Sequence, residues 1–218
     1  MSSRIEGTLR AYFRLIRLPL VPTAIADTWA GWFLGGGTME ARPLAGLAGF
    51  SACAYAFGMV FNDLCDLPND RIEHPERPLP NGAVSRRAAG AMALTLLGVS
   101  MLAAWRLPSG ARTVACALLG AIAGYDALLK RWAPAGTVGM GLCRTLNLLT
   151  GALAAATPFG PRPAACAAAI GLGLYITIVT SVSVREAVNP ALGIWVRRGI
   201  LLLIPLDAAL CFAGTRNA

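Results

Sequence analysis

The chain has 218 residues, of which 56% are hydrophobic and 14% charged, and its formal net charge at pH 7 is +8. With a mean hydropathy of +0.60, this composition excludes an ordinary soluble domain, which carries more charge on its surface. The basic excess does not indicate nucleic-acid binding, because the arginines lie mainly between apolar segments, so the sequence predicts an integral membrane protein.

The first segment, residues 1–19, is basic and amphipathic. Phe13, Ile16 and Leu20 recur at helical spacing among arginines, which is typical of a helix that lies at a membrane surface. We therefore expect a cytoplasmic lead-in before the first membrane span.

Apolar segments of about 20 residues, the length that crosses a bilayer, follow this lead-in. We predict seven transmembrane helices, at 20–38, 44–66, 87–105, 110–129, 138–156, 163–184 and 194–213. Glycines within them, as in Gly35-Gly36-Gly37 and Gly139-Met140-Gly141, favour close helix packing. The predicted fold class is all-α: one polytopic membrane helix bundle that forms a single domain over residues 1–218.

The basic residues predict the orientation of this bundle. With the N-terminus in the cytoplasm, thirteen lysines and arginines fall on the cytoplasmic side. The opposite side holds Arg42, Arg106, Arg112, Arg162 and Arg216. This asymmetry agrees with the positive-inside rule, and it places the charged segments discussed next on one face of the membrane.

An acidic motif ends the second span. Asn62, Asp63, Asp66 and Asp70 fall within an arc of about 100° on an ideal helix. Acids at a helix C-terminus oppose the helix dipole and repel one another, and hard oxygen ligands suit Mg²⁺. The motif therefore predicts a metal site, with a solvated acidic helix end as the alternative. Pro68 favours a break in the helix before Asp70.

The segment after the acids is rich in proline. Pro75, Pro78 and Pro80 predict a stiff loop, and Ser85 is placed to cap the next helix. From Asn62 to Ser85, the acid spacing followed by an R-P-L-P-x-G-x-x-S loop resembles the first aspartate-rich motif of the UbiA superfamily of intramembrane prenyltransferases.

This resemblance implies an all-α bundle whose central cavity binds a prenyl diphosphate through Mg²⁺ and transfers the prenyl group to a small acceptor, aromatic or cyclic in character. It further implies that Asp63, Asp66 and Asp70 are catalytic and that Asn62 joins them as a metal ligand. Arg71 and Arg77 are then expected to bind the diphosphate.

Two later segments carry the resemblance further. The run from Tyr125 to Lys130 is similar to the family's Y-x-x-x-x-K segment, which implies that Lys130 faces the diphosphate and that Tyr125 lies near the acceptor pocket. Lys130 is the single lysine of the chain. The alternative is a Lys-Arg pair that anchors the helix at the membrane interface.

The fifth span carries Arg144 inside an apolar segment, with Asn147 on the same helical side. A charge so placed costs at least about 2.5 kcal/mol and points to function. The pair is similar to an R-x-x-N pattern in one branch of the superfamily, which implies diphosphate binding in a polar cavity. The alternative is an arginine paired with Asp126 or Asp27 for packing.

Asp27, in the first span, is a second intramembrane charge. In UbiA relatives this region lines the acceptor pocket, so Asp27 is a candidate to orient or deprotonate the acceptor. Its alternative role is to pair with Arg144. Asp207 in the last span has no motif around it and is left unassigned.

The chain departs from the family pattern in two places. Where relatives carry a second aspartate-rich motif, residues 180–187 contain only Arg185 and Glu186 as charged residues. Arg185 is then expected to contact the diphosphate and Glu186 to be a weak metal ligand, so that one Mg²⁺ is favoured over two. The chain also has seven predicted spans where the family commonly has nine, which indicates a shortened member or a bundle of which part is absent.

The sequence therefore favours a Mg²⁺-dependent prenyltransferase with a cytoplasmic active site. Its expected partners are a prenyl diphosphate, a small-molecule acceptor and membrane lipid, and no nucleic acid. The alternative is a degenerate relative that binds an isoprenoid or another lipid without turnover. A CDP-alcohol phosphotransferase fits poorly, because the D-G-x-x-A-R prelude is missing before the acids, and no internal repeat supports a transporter.

Overall fold

The computed structural model describes residues 2–155, 162–186 and 189–216, and within these ranges the chain is helical without strands. The ends of the predicted domain, the end of the predicted fifth span and Ala187 lie outside the described residues. The helices are α1 (Ser2–Leu15), α2 (Val21–Leu34), α3 (Ala41–Glu73), α4 (Arg86–Trp105), α5 (Ser109–Ala127), α6 (Ala133–Ala155), α7 (Pro163–Glu186) and α8 (Gly193–Arg216). Short 3₁₀ turns lie at Leu18–Leu20, Leu129–Arg131 and Pro190–Leu192. The all-α prediction is confirmed.

Helices α2 to α8 correspond to the seven predicted spans. In the described part of the chain, four helices meet the length and apolarity of a membrane span: α3, α4, residues Pro134–Ala155 of α6, and α7. With 33 residues, α3 is about 50 Å long at 1.5 Å per residue, which exceeds a hydrocarbon core of about 30 Å. Its acidic C-terminal turns therefore have length to extend past the apolar layer.

Of the three apolar residues that the sequence marked in the lead-in, Ile16 packs against the bundle. Leu15 and Ala11 are buried in a cluster with residues of α3 and α4, whereas Phe13 and Leu20 are exposed. Leu20 does not continue the helical spacing of Phe13 and Ile16. The reason is that α1 ends at Leu15 and Arg17 adopts a left-handed backbone conformation, with φ 50°.

Helix α3 continues through Pro68 to Glu73, so the predicted break before Asp70 is wrong. A proline inside a helix removes one hydrogen bond and strains the preceding turn. Here Leu67 and Asp70 on either side of it are buried, and these tertiary contacts offset the lost bond. Asp70 consequently stays in helical register with Asp63 and Asp66.

Helices α2 and α6 approach closely where both present glycines. A side chain on Gly31 would overlap the backbone oxygen of Leu148, and one on Gly151 would overlap the backbone oxygen of Thr28. Gly35 faces Ala152 in the same way. The predicted role of Gly35 in close helix packing is confirmed, because only a missing Cβ permits this backbone separation.

The predicted cap at Ser85 is confirmed. Its Oγ accepts a hydrogen bond of 3.2 Å from the backbone N–H of Ala88 at the start of α4. We expect Ser85→Ala to lower the free energy of unfolding by about 1 kcal/mol, because a helix-terminal donor loses its partner. Thermal unfolding in detergent measures this, with the exposed Ser109→Ala as the control, and equal losses in both variants would contradict the capping role.

Candidate active site

A central cavity of about 280 Å³ lies between α2, α3, α5 and α6. Leu118, Ile122 and Met140 give it an apolar wall, and Tyr55 and Tyr125 also line it. Its polar lining residues are Arg17, Ser51, Asn62, Asp126, Arg144 and Asn147. The cavity therefore combines a hydrocarbon surface with a few charged and hydrogen-bonding groups, as ligand sites commonly do.

A second space of about 540 Å³, here called the acid cleft, lies at the C-terminal end of α3. Asp66, Asp70, Arg77 and Lys130 line it. Asp126 lines both the acid cleft and the central cavity, so the polar space and the apolar space adjoin each other.

Each acid of the motif faces a base. Arg17 Nη2 lies 3.6 Å from Asp63 Oδ1, and Lys130 Nζ lies 2.8 Å from Asp66 Oδ1. Arg77 Nη1 donates to both carboxylate oxygens of Asp70, at 2.7 and 2.8 Å. Lys130 also donates to the Asn62 side-chain oxygen at 3.0 Å. These bases come from the α1–α2 junction, the proline-rich loop and the segment after α5, so three separate parts of the chain converge on one helix end.

Among the residues that the structure describes, no three acidic, histidine or cysteine side chains are grouped as a metal site. The predicted metal set of Asn62, Asp63, Asp66, Asp70 and Glu186 therefore stays a prediction. Mg²⁺ needs only one or two carboxylates when substrate phosphates complete its shell. Asp66 and Asp70 both line the acid cleft, so the donor chemistry fits that mode of binding.

Arg77 of the acid cleft is held in its charged form. Burial disfavours the charge of Arg77, but its hydrogen bonds to Asp70 and the charges of Asp70 and Asp63 outweigh this and raise its pKa above the ordinary value. A fixed guanidinium and the ammonium of Lys130 thus stand beside the acids, where a polyanion is attracted by the bases and a divalent cation by the acids.

Three predicted ligands lie away from this cleft. Arg71 lines a separate groove with Arg86, because its side chain projects about 100° around the helix from that of Asp70. Glu186 lies against Gly193 at the start of α8, and Arg185 is exposed at the end of α7. Glu186 and Arg185 line neither the central cavity nor the acid cleft. The geometry therefore does not support the predicted diphosphate contacts of Arg71 and Arg185 or the predicted metal contact of Glu186.

Arg144 and Asn147 line the central cavity, in the polar position that the sequence predicted. Arg144 Nη1 donates to Asp27 Oδ2 at 2.6 Å and its Nη2 to Thr23 Oγ1 at 3.1 Å. Asn147 Nδ2 donates to the Ala24 carbonyl at 2.8 Å. The guanidinium is therefore held by helix α2 at the cavity wall.

Asp27 is fully buried and is absent from the cavity lining. Of the two roles left open by the sequence, the structure displays the ion pair with Arg144. The role of a base that meets the acceptor lacks geometric support, because Asp27 does not line the cavity and instead accepts hydrogen bonds from Arg144 and Asn147, which do.

Sequence reasoning missed the role of Arg17. Its side chain lines the central cavity and faces Asp63, and it is the non-glycine residue with positive φ in the described chain. Positive φ is uncommon for residues other than glycine, and such residues are found often at functional sites. The available signal was a cation placed directly before the first apolar segment, but the sequence does not reveal its backbone conformation.

The model of the UbiA prenyltransferase family matches residues 20–187, which is more than half of the chain and includes every residue of the acid cleft. The chain belongs to the UbiA prenyltransferase family. The resemblance inferred from the acids and the proline-rich loop is thereby confirmed.

Curated UbiA relatives are about twice as long as the matched region. The digeranylgeranylglyceryl phosphate synthase of Ignicoccus hospitalis is 35% identical over 154 residues, which are 69% of this chain and 49% of that protein. The protoheme IX farnesyltransferase of Aeropyrum pernix is 31% identical over 156 residues, covering 69% and 51%. The chain spans about half the length of the curated relatives it matches.

A solved structure of a UbiA homologue from Archaeoglobus fulgidus, bound to GPP and Mg²⁺, superposes with a TM-score of 0.68 at 22% identity. The match covers 92% of this chain and 75% of that one. At this identity the likeness establishes the fold, which is the UbiA membrane helix bundle.

Proposed function

We propose that the protein is a Mg²⁺-dependent prenyltransferase that moves a prenyl group from a prenyl diphosphate to a small acceptor, with its active site on the cytoplasmic side. The observation that carries the proposal is the junction of the acid cleft with the apolar central cavity at Asp126. A prenyl diphosphate has a polyanionic head and a hydrocarbon tail, and the two adjoining spaces match these two parts.

The bases supply the first step, which is to bind the diphosphate. Lys130, Arg77 and Arg17 already face the acid motif, so an incoming polyanion replaces carboxylates as their partners. The acids released in this exchange, Asp66 and Asp70 with Asn62 and Asp63, would hold Mg²⁺. When bound, the metal neutralises charge that develops on the departing diphosphate.

Transfer then breaks the bond between the prenyl C1 and the diphosphate oxygen, and pyrophosphate leaves with the bonding electrons. The acceptor attacks the allylic cation and loses a proton. Lys130 and Arg77 stabilise the charge of the leaving group. Leu118, Ile122 and Met140 surround the tail and limit water, and the faces of Tyr55 and Tyr125 favour a cation nearby.

For the acceptor, the names of several relatives favour a lipid that carries a glycerol phosphate, since they are called digeranylgeranylglyceryl phosphate synthases. The small aromatic or cyclic acceptor that the family resemblance implied is the second candidate. It is favoured by the relative named protoheme IX farnesyltransferase.

Liposomes containing the purified protein test the function. Labelled prenyl diphosphates of differing chain length are supplied with each acceptor class, in Mg²⁺ or in excess chelator. We expect release of pyrophosphate and a prenylated product only in Mg²⁺. Saturable binding of prenyl diphosphate without release in any combination would instead support the degenerate relative that binds and does not react.

We expect Lys130→Met to raise the KM for prenyl diphosphate about tenfold to a hundredfold, the value of a hydrogen bond to a charged group. The reason is that its ammonium bridges Asn62 and Asp66 where the diphosphate binds. Arg87→Met, which removes an exposed positive charge near the start of α4, is the control and should leave KM unchanged. Equal effects in both variants would indicate general surface attraction.

A further inference from the structure

The last turns of α3 have a second face that the proposed function does not use. Asp66 and Asp70 line the acid cleft, whereas Phe61 lies about 180° around the helix from Asp70 at 100° per residue. On that side a groove of about 550 Å³ lies between α3 and the start of α4, and it is here called the arginine groove. Phe61, Leu64, Leu67 and Pro68 form its apolar wall, and Arg71 and Arg86 are its charged residues.

The two arginines of this groove have no counter-ion. None of the residues that line the groove is acidic. Within the described part of the chain, neither Arg71 nor Arg86 forms a hydrogen bond or an ion pair. By contrast, Arg77 and Lys130 in the acid cleft both contact carboxylates. The arginine groove therefore carries two uncompensated positive charges, which attract an anion.

The position of the groove along the bundle indicates the kind of anion. Helix α4 meets the length and apolarity of a membrane span. Its 20 residues extend about 30 Å at 1.5 Å per residue, which equals the thickness of the hydrocarbon core of a bilayer. Arg86 is the first residue of α4, so its guanidinium stands at the level where lipid headgroups begin. Arg71 lines the same groove and lies at the same level.

The apolar wall requires that the anion also carry a hydrocarbon chain. From Phe61 to Arg71 helix α3 advances ten residues, which is about 15 Å. Phe61 and Leu64 are only partly buried by the bundle, so they remain open to a chain in the groove. A free phosphate ion would pair with the arginines and leave this wall uncovered, whereas an uncharged lipid would cover the wall and leave the arginines unpaired. An anionic phospholipid satisfies both.

We propose that the arginine groove binds one anionic phospholipid, with the headgroup phosphate at Arg71 and Arg86 and an acyl chain along Phe61 and Leu64. The guanidinium groups suit this ligand because their planar donors form paired hydrogen bonds with phosphate oxygens. Basic pockets between transmembrane helices hold anionic headgroups in this way. The site is separate from the acid cleft, because Arg71 and the acids lie on different sides of α3.

Native mass spectrometry of the purified protein in detergent counts the bound lipids. We expect one phosphatidylglycerol to bind saturably, and to bind about tenfold to a hundredfold more weakly when Arg71→Gln and Arg86→Gln are combined, the value of hydrogen bonds to a charged group. Arg10→Gln with Arg87→Gln removes two other exposed arginines and should keep the wild-type affinity. Equal weakening in the two double variants would assign the attraction to net charge and overturn the proposal, as would equal affinity for phosphatidylcholine.

Gly90→Leu tests the groove with both arginines in place. Gly90 lines the groove one turn below Arg86, and an added Cβ meets no atom within 4 Å. The protein therefore folds with leucine at this position, but the side chain fills the space of the lipid, and we expect binding about tenfold weaker. Gly98→Leu on the same helix also enters open space, outside the groove, and should bind as the wild type does. Unchanged binding in Gly90→Leu would overturn the proposal.

Inorganic phosphate distinguishes a phospholipid site from a site for free anions. Excess phosphate, compared with chloride at the same ionic strength, should leave most of the phosphatidylglycerol bound, because it does not replace the contacts of the acyl chain. Complete displacement would identify a free-anion site and overturn the lipid assignment. These measurements involve no substrate and no turnover, so their outcome is independent of the proposed function.

Discussion

Asp66→Asn is expected to reduce pyrophosphate release about a hundredfold to a thousandfold, the typical cost of removing one preorganised electrostatic contact from a transition state. The Asp66 carboxylate lines the acid cleft and faces Lys130 at 2.8 Å. An amide of the same shape keeps the packing but loses the negative charge that a divalent cation requires. Single-turnover release from labelled prenyl diphosphate measures the effect.

Glu76→Gln is the matched control for this loss. It removes one exposed carboxylate from the proline-rich loop that follows α3, and it should leave release unchanged. A fall of similar size in Glu76→Gln would attribute the effect to net surface charge. An Asp66→Asn protein with the full rate would remove the acid motif from the mechanism.

Gly151→Ala is expected to have the largest effect on stability, about 3 kcal/mol, the upper range for overpacking. The added methyl group would overlap the backbone oxygen of Thr28, which unlike a side chain has no alternative rotamer. Helices α2 and α6 must then separate, and the contact between Asp27 and Arg144 spans the same interface. Thermal unfolding in detergent measures the loss.

The comparison for this variant is Gly171→Ala on α7, where an added methyl group meets no atom within 4 Å. Both substitutions change helix propensity equally, so the difference between them reports the helix contact alone. Similar unfolding temperatures for the two variants would contradict the close approach of α2 and α6.

The helices and the acid motif could be predicted from sequence because both depend on local periodicity. Apolar segment length locates the spans, and Ser85 at the start of a helix caps it through atoms three residues away. Asp63, Asp66 and Asp70 share one helical side for the same reason.

Other parts of the site required tertiary information. Arg17 reaches Asp63 from the α1–α2 junction, and no local pattern around either residue predicts that contact. The left-handed conformation of Arg17 belongs to one residue and leaves no periodic trace. At Pro68 the local pattern predicted a helix break that does not occur. The burial of Leu67 and Asp70 overrides the local preference of proline.

The presence of a single lysine has a practical consequence. Lys130 sits in the acid cleft against Asp66, so reductive methylation with labelled formaldehyde would mark this side chain, together with any free α-amino group. The methyl resonance of the modified amine responds to its charge environment. This chain thus offers one side chain at which a spectroscopic reporter of headgroup arrival and departure can be placed without a substitution in the sequence.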